Sequence, residues 1–89
     1  MDIESLYFGD LRYITGLARE TISIEDGSKI IDLLNKLFET YGKDFRLLLD
    51  LGSSHIILIN GQNHEVLGGN EAILQEGDQI VFLPITMGG

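Results

Sequence analysis

The spacing of hydrophobic and polar positions changes several times along the chain, and each change marks an element. Ile3, Leu6, Tyr7 and Phe8 form a β-favouring stretch that Gly9-Asp10 breaks, which predicts a first strand over residues 3–8. Leu11, Tyr13, Ile14 and Leu17 predict a short helical turn closing near Gly16. Residues 20–25 alternate, with Ile22 and Ile24 on one face and Thr21 and Ser23 on the other, as a half-buried strand does. These two strands are expected to be antiparallel neighbours. From Lys29 the period becomes helical. Ile30, Leu34, Leu37 and Tyr41 define a stripe that Ile31, Leu33 and Phe38 widen, while Lys29, Asp32, Asn35, Lys36 and Glu39 take the opposite side. Ser28 is the expected N-cap and Gly42 the expected C-cap, with Asp32 and Lys36 spaced as a favourable i, i+4 pair.

The second half reads as β structure. Residues 45–51 are apolar and predict a short strand or an extended cover, followed by a turn at Gly52-Ser53-Ser54. Residues 55–60 carry Ile56, Ile57, Leu58 and Ile59 without alternation, so both faces of that strand are expected to be covered. Asn60-Gly61 predicts a type I′ hairpin turn, with the return strand over residues 62–66. A loop over 67–70, a brief extended piece over 71–74 and a turn at Glu76-Gly77-Asp78 lead to a last strand over 79–83. Its run Ile80, Val81, Phe82, Leu83 again lacks alternation and points to a central position, and Pro84 is expected to end pairing because it has no N–H. The order is β-β-α-β-β-β. An α+β fold follows, with a mixed sheet of about five strands and one main helix packed across it. The domain is expected over residues 1–84, with residues 85–89 a flexible tail.

Composition narrows the function. Eighty-nine residues make one domain with one modest core. The absence of cysteine removes disulfides, thiolate nucleophiles and cysteine-ligated metals, so any thiol chemistry belongs to a partner. The N-terminal residues Met1-Asp2-Ile3-Glu4 have neither the basic segment nor the apolar core of a signal peptide, and no apolar run approaches a membrane span. The expectation is a soluble cytoplasmic protein. Net charge is −8, with 14 acidic against 6 basic residues, and no Lys or Arg follows Arg46. Such a surface repels nucleic-acid phosphates and suits either plain solubility or a partner with a basic face.

No enzyme constellation is present. His55 and His64 share no helix face and sit in no metal-binding motif, and the serines have no nucleophile elbow around them. Gly68-Gly69 and Gly52-Ser53-Ser54 lack the lysine of a phosphate-binding loop. Glu76 and Asp78 flank a turn glycine, where turn chemistry accounts for them. The remaining feature is the end, Pro84-Ile85-Thr86-Met87-Gly88-Gly89. Two glycines without Cβ atoms can enter a slot closed to any side chain, leaving a carboxylate as the functional group at the tip. A frayed, idle end is the other reading. Adenylation by an ATP-using enzyme would make that carboxylate an electrophile for sulfur or an amine.

The segments Leu58-Ile59-Asn60-Gly61, Leu67-Gly68-Gly69 and Leu74-Gln75-Glu76-Gly77-Asp78-Gln79-Ile80-Val81-Phe82-Leu83-Pro84, with the terminal Gly88-Gly89, resemble the MoaD-type sulfur carriers. These are the small subunit of molybdopterin synthase and the archaeal ubiquitin-like small modifiers. Residues 6–12 resemble their first strand and the segment after it. The resemblance implies a ubiquitin-like β-grasp fold and a carrier without catalysis or bound cofactor of its own. Gly89 would be adenylated by an activating enzyme that uses ATP, and then become a thiocarboxylate. Gly88, Met87, Thr86, Ile85 and Pro84 would be read by the partner. The sulfur would pass to a molybdopterin precursor in a complex with the large synthase subunit, or to tRNA. In the modifier relatives the activated carboxyl joins substrate lysines, and Lys29, Lys36 and Lys43 are then candidate self-modification sites or simply a solvated face. Relatives often end Phe-Pro-Pro-Val-small-Gly-Gly, where this chain has Leu83, one proline, Ile85, Thr86 and the bulky Met87. A non-covalent adaptor whose sheet face binds a partner is the alternative of a different class.

Overall fold

The computed structural model describes residues 1–50 and 55–85. Five strands are found among them: β1 (Asp2–Tyr7), β2 (Arg19–Ser23), β3 (His55–Ile59), β4 (Gln62–Asn63) and β5 (Gln79–Pro84). They form one sheet in the order β2-β1-β5-β3-β4, in which β1 and β5 run parallel and the other neighbours antiparallel. β1 and β2 pair as expected, with Ile3 opposite Ile22. β5 is the central strand, in line with its unbroken apolar run.

Three α-helices accompany the sheet among the described residues. α1 (Asp10–Thr15) is the short turn after β1, closed by Gly16 in the left-handed conformation. α2 (Ile30–Tyr41) is the main helix, burying Ile30, Leu33, Leu34 and Leu37. α3 (Lys43–Asp50) replaces the strand or extended cover expected there. Phe45, Leu48 and Leu49 stand at i, i+3, i+4, so a helix turns all three toward the core, whereas Leu47 is 50% exposed. Among the described residues the sheet therefore carries the shorter α3 on its inner side beside the main helix, α2. The turn expected at Gly52-Ser53-Ser54 lies outside the described residues. No helix is long and apolar enough to cross a membrane among those described.

Local chemistry explains the smaller departures. Ser28 is not the N-cap of α2. Its carbonyl accepts from Leu74 N–H at 2.8 Å, next to a bridge between Lys29 and Ile73, so its backbone serves the 73–74 segment. Lys29 takes the cap position, and its N–H donates to Asp32 Oδ2 at 2.8 Å. Asp32 and Lys36 thus take other partners, Lys36 Nζ donating to the Ser23 carbonyl at 2.7 Å. Gly42 closes α2 with φ of 82°, and its N–H donates to the Phe38 carbonyl at 2.8 Å. The hairpin at Asn60-Gly61 has positive φ at both residues, as a type I′ turn requires. Its return strand stops after two residues, because Asn63 Oδ1 accepts from Glu65 N–H and starts a 3₁₀ turn over His64–Leu67. A second 3₁₀ turn, Gly69–Glu71, occupies much of the expected loop.

The core is aromatic where the sheet meets α2 and α3. Tyr7 stacks on Phe82 with centroids 5.8 Å apart, and Phe45 meets both edge-on at 6.0 and 5.9 Å. Tyr7 and Tyr41 both donate to Glu20 Oε2, at 2.6 and 2.5 Å. Burial, then the bond to Glu20, pushes the Tyr41 phenol up to about 12 and the Tyr7 phenol higher still. A raised folded-state value means that the neutral phenols stabilise the fold fully below about pH 10, where unfolded tyrosine titrates. That contribution is expected to be lost as the pH rises from about 10 through 12. Urea unfolding across this range checks it, and Tyr41→Phe should flatten the loss.

Candidate functional site

The structure places two of the six expected tail residues, Pro84 and Ile85. Thr86, Met87, Gly88 and Gly89 lie outside the described residues. What can be built is the root from which those four residues continue.

β5 brings the chain to this root through the middle of the sheet. Parallel pairing sets Tyr7 beside Phe82, so β1 and β5 finish at the same end. Antiparallel pairing sets Ile57 opposite Phe82 and His55 opposite Pro84, so β3 begins where β5 leaves. Pro84 is thus the last residue of the strand rather than the first beyond it, a small correction to the expected boundary. Its missing N–H costs little at a strand terminus. The root is fixed from both sides by neighbouring strands and from within by the buried Phe82.

Gly9 closes the third side. It has φ of 61° and ψ of −135°, a conformation that non-glycine residues scarcely enter. A Cβ built there would stand 3.2 Å from Pro84 Cγ. Gly9→Ala is therefore expected to cost about 1–3 kcal/mol through backbone strain, with crowding of Pro84 in addition. Chemical denaturation measures it, and an unchanged midpoint would contradict the close approach.

Two surfaces flank the root. On the outer face of the sheet, Leu6, Val81 and Leu58 lie in register across three strands, and Leu83 lies opposite Ile56. Leu83 is 36% exposed and the others are partly covered, so a row of aliphatic side chains continues onto the residues before the tail. Phe8, 41% exposed, lies just past the end of β1. On the helix side, a cleft of about 550 Å³ is lined by Leu34, Leu49, His55, His64 and Ile85 among others. Sequence reading left the two histidines apart, but the fold brings both to this cleft. Burial lowers the His55 pKa below its usual value, against an opposing hydrogen bond to the Leu48 backbone and the charge of Asp10. No group of three or more His, Cys, Asp or Glu residues is placed to hold a metal ion among the described residues.

The acidic turn is structural. Glu76 Oε2 accepts from Asp2 N–H at 2.5 Å, and Asp78 Oδ2 accepts from Gln75 N–H at 2.8 Å. Asp78 Oδ1 also accepts from Asn60 Nδ2 at 2.9 Å, tying this turn to the hairpin. Both carboxylates serve the backbone and its turns, as the sequence pattern implied.

Comparison with known proteins bears on the whole chain. A family model described as the ThiS family matches residues 5–89. The human molybdopterin synthase sulfur carrier subunit is 33% identical over 87 residues, covering 98% of this chain and 93% of the human one. The small archaeal modifier protein 1 of Methanosarcina acetivorans is 30% identical, with a TM-score of 0.82 over 99% of this chain and 96% of the other. Urm1 of Trypanosoma brucei is 21% identical, with a TM-score of 0.76 over 99% and 95%, and attests the fold. Sheet order, helix placement and sequence match agree: the chain belongs to the ThiS family and has the ubiquitin-like β-grasp fold.

Proposed function

We propose that this protein is a sulfur carrier whose working group is the carboxyl of Gly89. The observation that carries the reading is the exit of β5. A central strand, paired to β1 and β3 and anchored by the buried Phe82, brings the chain to Pro84 and Ile85 beside an aliphatic sheet face. Gly88 and Gly89 then give a tip without side chains.

The chemistry has three steps, all in a partner's active site. A Gly89 carboxylate oxygen attacks the α-phosphorus of ATP, and the bond to pyrophosphate breaks. A sulfur nucleophile then attacks the acyl carbon, and AMP leaves with the C–O electron pair. With a donor persulfide as nucleophile the product is an acyl disulfide; a partner's thiol then attacks the donor sulfur, a new disulfide forms, the old S–S bond breaks, and the C-terminal thiocarboxylate leaves. This chain supplies no base or metal to any step. It supplies docking and reach. The row Leu6, Val81, Leu58, Ile56 and Leu83 would dock the activating enzyme, and Pro84, Ile85, Thr86 and Met87 would line its channel. The acidic surface, at net charge −8, favours a basic rim on that partner.

The 33% identity to the human sulfur carrier subunit supports molybdopterin synthesis as the destination, with the large synthase subunit as second partner. Thiolation of tRNA is the other sulfur route. The test is mass spectrometry of the chain after incubation with ATP, its activating enzyme and a sulfur source. One oxygen replaced by sulfur at Gly89 is expected, and an unchanged mass with the complete enzyme set would refute the reading.

Conjugation to protein lysines is the second reading, favoured by the 30% identity to an archaeal small modifier over 99% of this chain. Immunoblots of cell extract would then show a ladder that disappears when Gly88-Gly89 is deleted. Free protein alone would exclude it.

A further inference from the structure

The cleft on the helix side joins two features that the carrier chemistry leaves unused, a buried histidine nitrogen and the last described residue of the chain. Leu34, Leu49, His55, His64, Asn70 and Ile85 are on its wall, and its volume of about 550 Å³ lies in the range of ligand pockets. The 3₁₀ turn that Asn63 starts holds His64 at the cleft. His64 Nδ1 is buried and makes no hydrogen bond among the described residues. Buried polar atoms of native proteins are nearly always paired, so this nitrogen calls for a partner.

The path of the chain says which group can reach it. Pro84 pairs with His55, and Ile85, partly buried, stands on the wall of the same cleft. Four residues follow, Thr86 to Gly89. Fully extended they reach about 14 Å, more than the side of a cube of 550 Å³. A group on so short a tether acts at an effective concentration in the millimolar range, so a contact too weak to hold a free carboxylate can hold this one. Imidazole and amide N–H groups both donate to a carboxylate, and His64 and Asn70 bring them to the cleft. The titratable groups on the wall besides His64 are His55, at the start of β3, and Glu65, which is exposed on the same turn as His64. Among the described residues no lysine or arginine lines the cleft, which sets it apart from a site for free phosphate or nucleotide.

We propose that this cleft is a binding site for the chain's own terminal carboxylate: in the free protein the chain folds back from Ile85, and Gly89 accepts a hydrogen bond from the His64 ring. The proposal rests on the reading that Gly89 carries the working carboxyl, and adds that the body of the protein holds this group until a partner draws it out. Cleft and partner then compete for the same four residues. The apparent affinity of the partner falls in proportion to the fraction of chains whose tail is seated.

Nuclear magnetic resonance on the free protein, without ATP or enzyme, tests the seat separately from the carrier reading. Removing residues 86–89 should move the signals of Leu34, Leu49, His64 and Asn70 and leave those of Leu6 and Leu58, on the outer face, in place. The amides of Gly88 and Gly89 should have order parameters above about 0.6, the level below which a backbone counts as flexible. His64→Ala, and a chain whose Gly89 ends in an amide instead of an acid, should each bring them below it. Values below that level in the wild-type chain, or spectral changes confined to residues 83–85, overturn the proposal and leave the carrier reading intact. Order that survives the terminal amide overturns the carboxylate as the seated group. Spectral changes that grow with protein concentration assign the tail to a second copy and overturn the fold-back. With ATP and the activating enzyme, a tail seated at least half the time predicts a KM for the carrier at least about twofold lower in His64→Ala, at unchanged kcat. An equal or higher KM overturns the competition. A wild-type chain that supports no ATP–pyrophosphate exchange refutes the carrier reading, and the order parameters still decide the seat.

Discussion

Deleting Gly89 is expected to abolish adenylation while leaving the fold untouched. One residue less retracts the terminal carboxyl by about 3.5 Å. Reacting groups need placement to about 1 Å, and an error of that size already costs about 10²-fold in rate. The shortened chain should therefore lose more than about 10²-fold in ATP–pyrophosphate exchange with the activating enzyme. Gly88→Val should lose as much for a different reason, since a branched side chain would have to enter a slot shaped for backbone. Both variants should unfold at the wild-type midpoint, because the buried core ends at Phe82. Activity in the deletion within threefold of wild type would show that the carboxyl is not the reacting group. Met87→Ala provides the graded companion. Where a partner has adapted to the bulky residue, the variant should raise KM more than it lowers kcat.

Much of this architecture was legible in the chain, and the exceptions have physical causes. The α2 stripe, the alternation in β2, the Asn60-Gly61 turn and the unbroken apolar run of β5 each carry a period or a φ requirement that few other structures satisfy. α3 was misread because Leu47, Leu48 and Leu49 are consecutive, and a continuous apolar run of that length fits a strand or a helix equally. The deciding signal was the spacing of Phe45 with Leu48 and Leu49, which only a helix brings to one face. Ser28 was misassigned because a cap is a competition for the same backbone. The 73–74 segment claims Ser28 through a contact between residues 46 apart, which local pattern cannot display. The short β4 has the same origin as the long loop after it: Asn63 turns its side chain onto the backbone and diverts the strand.

The candidate site divides in the same way. Gly88-Gly89 and Pro84 could be singled out from position alone. The close approach of Gly9 to Pro84 could not, because it arises from parallel pairing between the first and last strands, far apart in the chain. The cleft that gathers His55, His64 and Ile85 is likewise a product of sheet order. Local sequence thus marks the proposed tip, whereas tertiary pairing builds the platform at its root.

Phe82→Ala should be the most destabilising single change in the chain, and it tests that platform directly. Phe82 is fully buried, lies on the central strand, and contacts Tyr7 and Phe45 at 5.8 and 5.9 Å between ring centroids. Truncating a buried phenylalanine costs about 3–5 kcal/mol from lost transfer energy and the residual cavity. A domain of 89 residues has a total stability of about 4–13 kcal/mol. The variant is therefore expected to be marginal at 25 °C, with its urea midpoint shifted far below wild type and its near-UV aromatic dichroism weakened. Phe82→Leu keeps much of the volume and should cost only about 1.5 kcal/mol, leaving a folded protein. This second variant separates stability from aim. It keeps β5 between β1 and β3 but loosens the packing two residues before Pro84. Adenylation by Phe82→Leu should fall through a higher KM for the carrier, since a less ordered root spends binding energy on ordering the tail. A loss below about 1 kcal/mol in Phe82→Ala, on the scale of an exposed site, would mean that the aromatic cluster does not anchor the strand from which the tail departs.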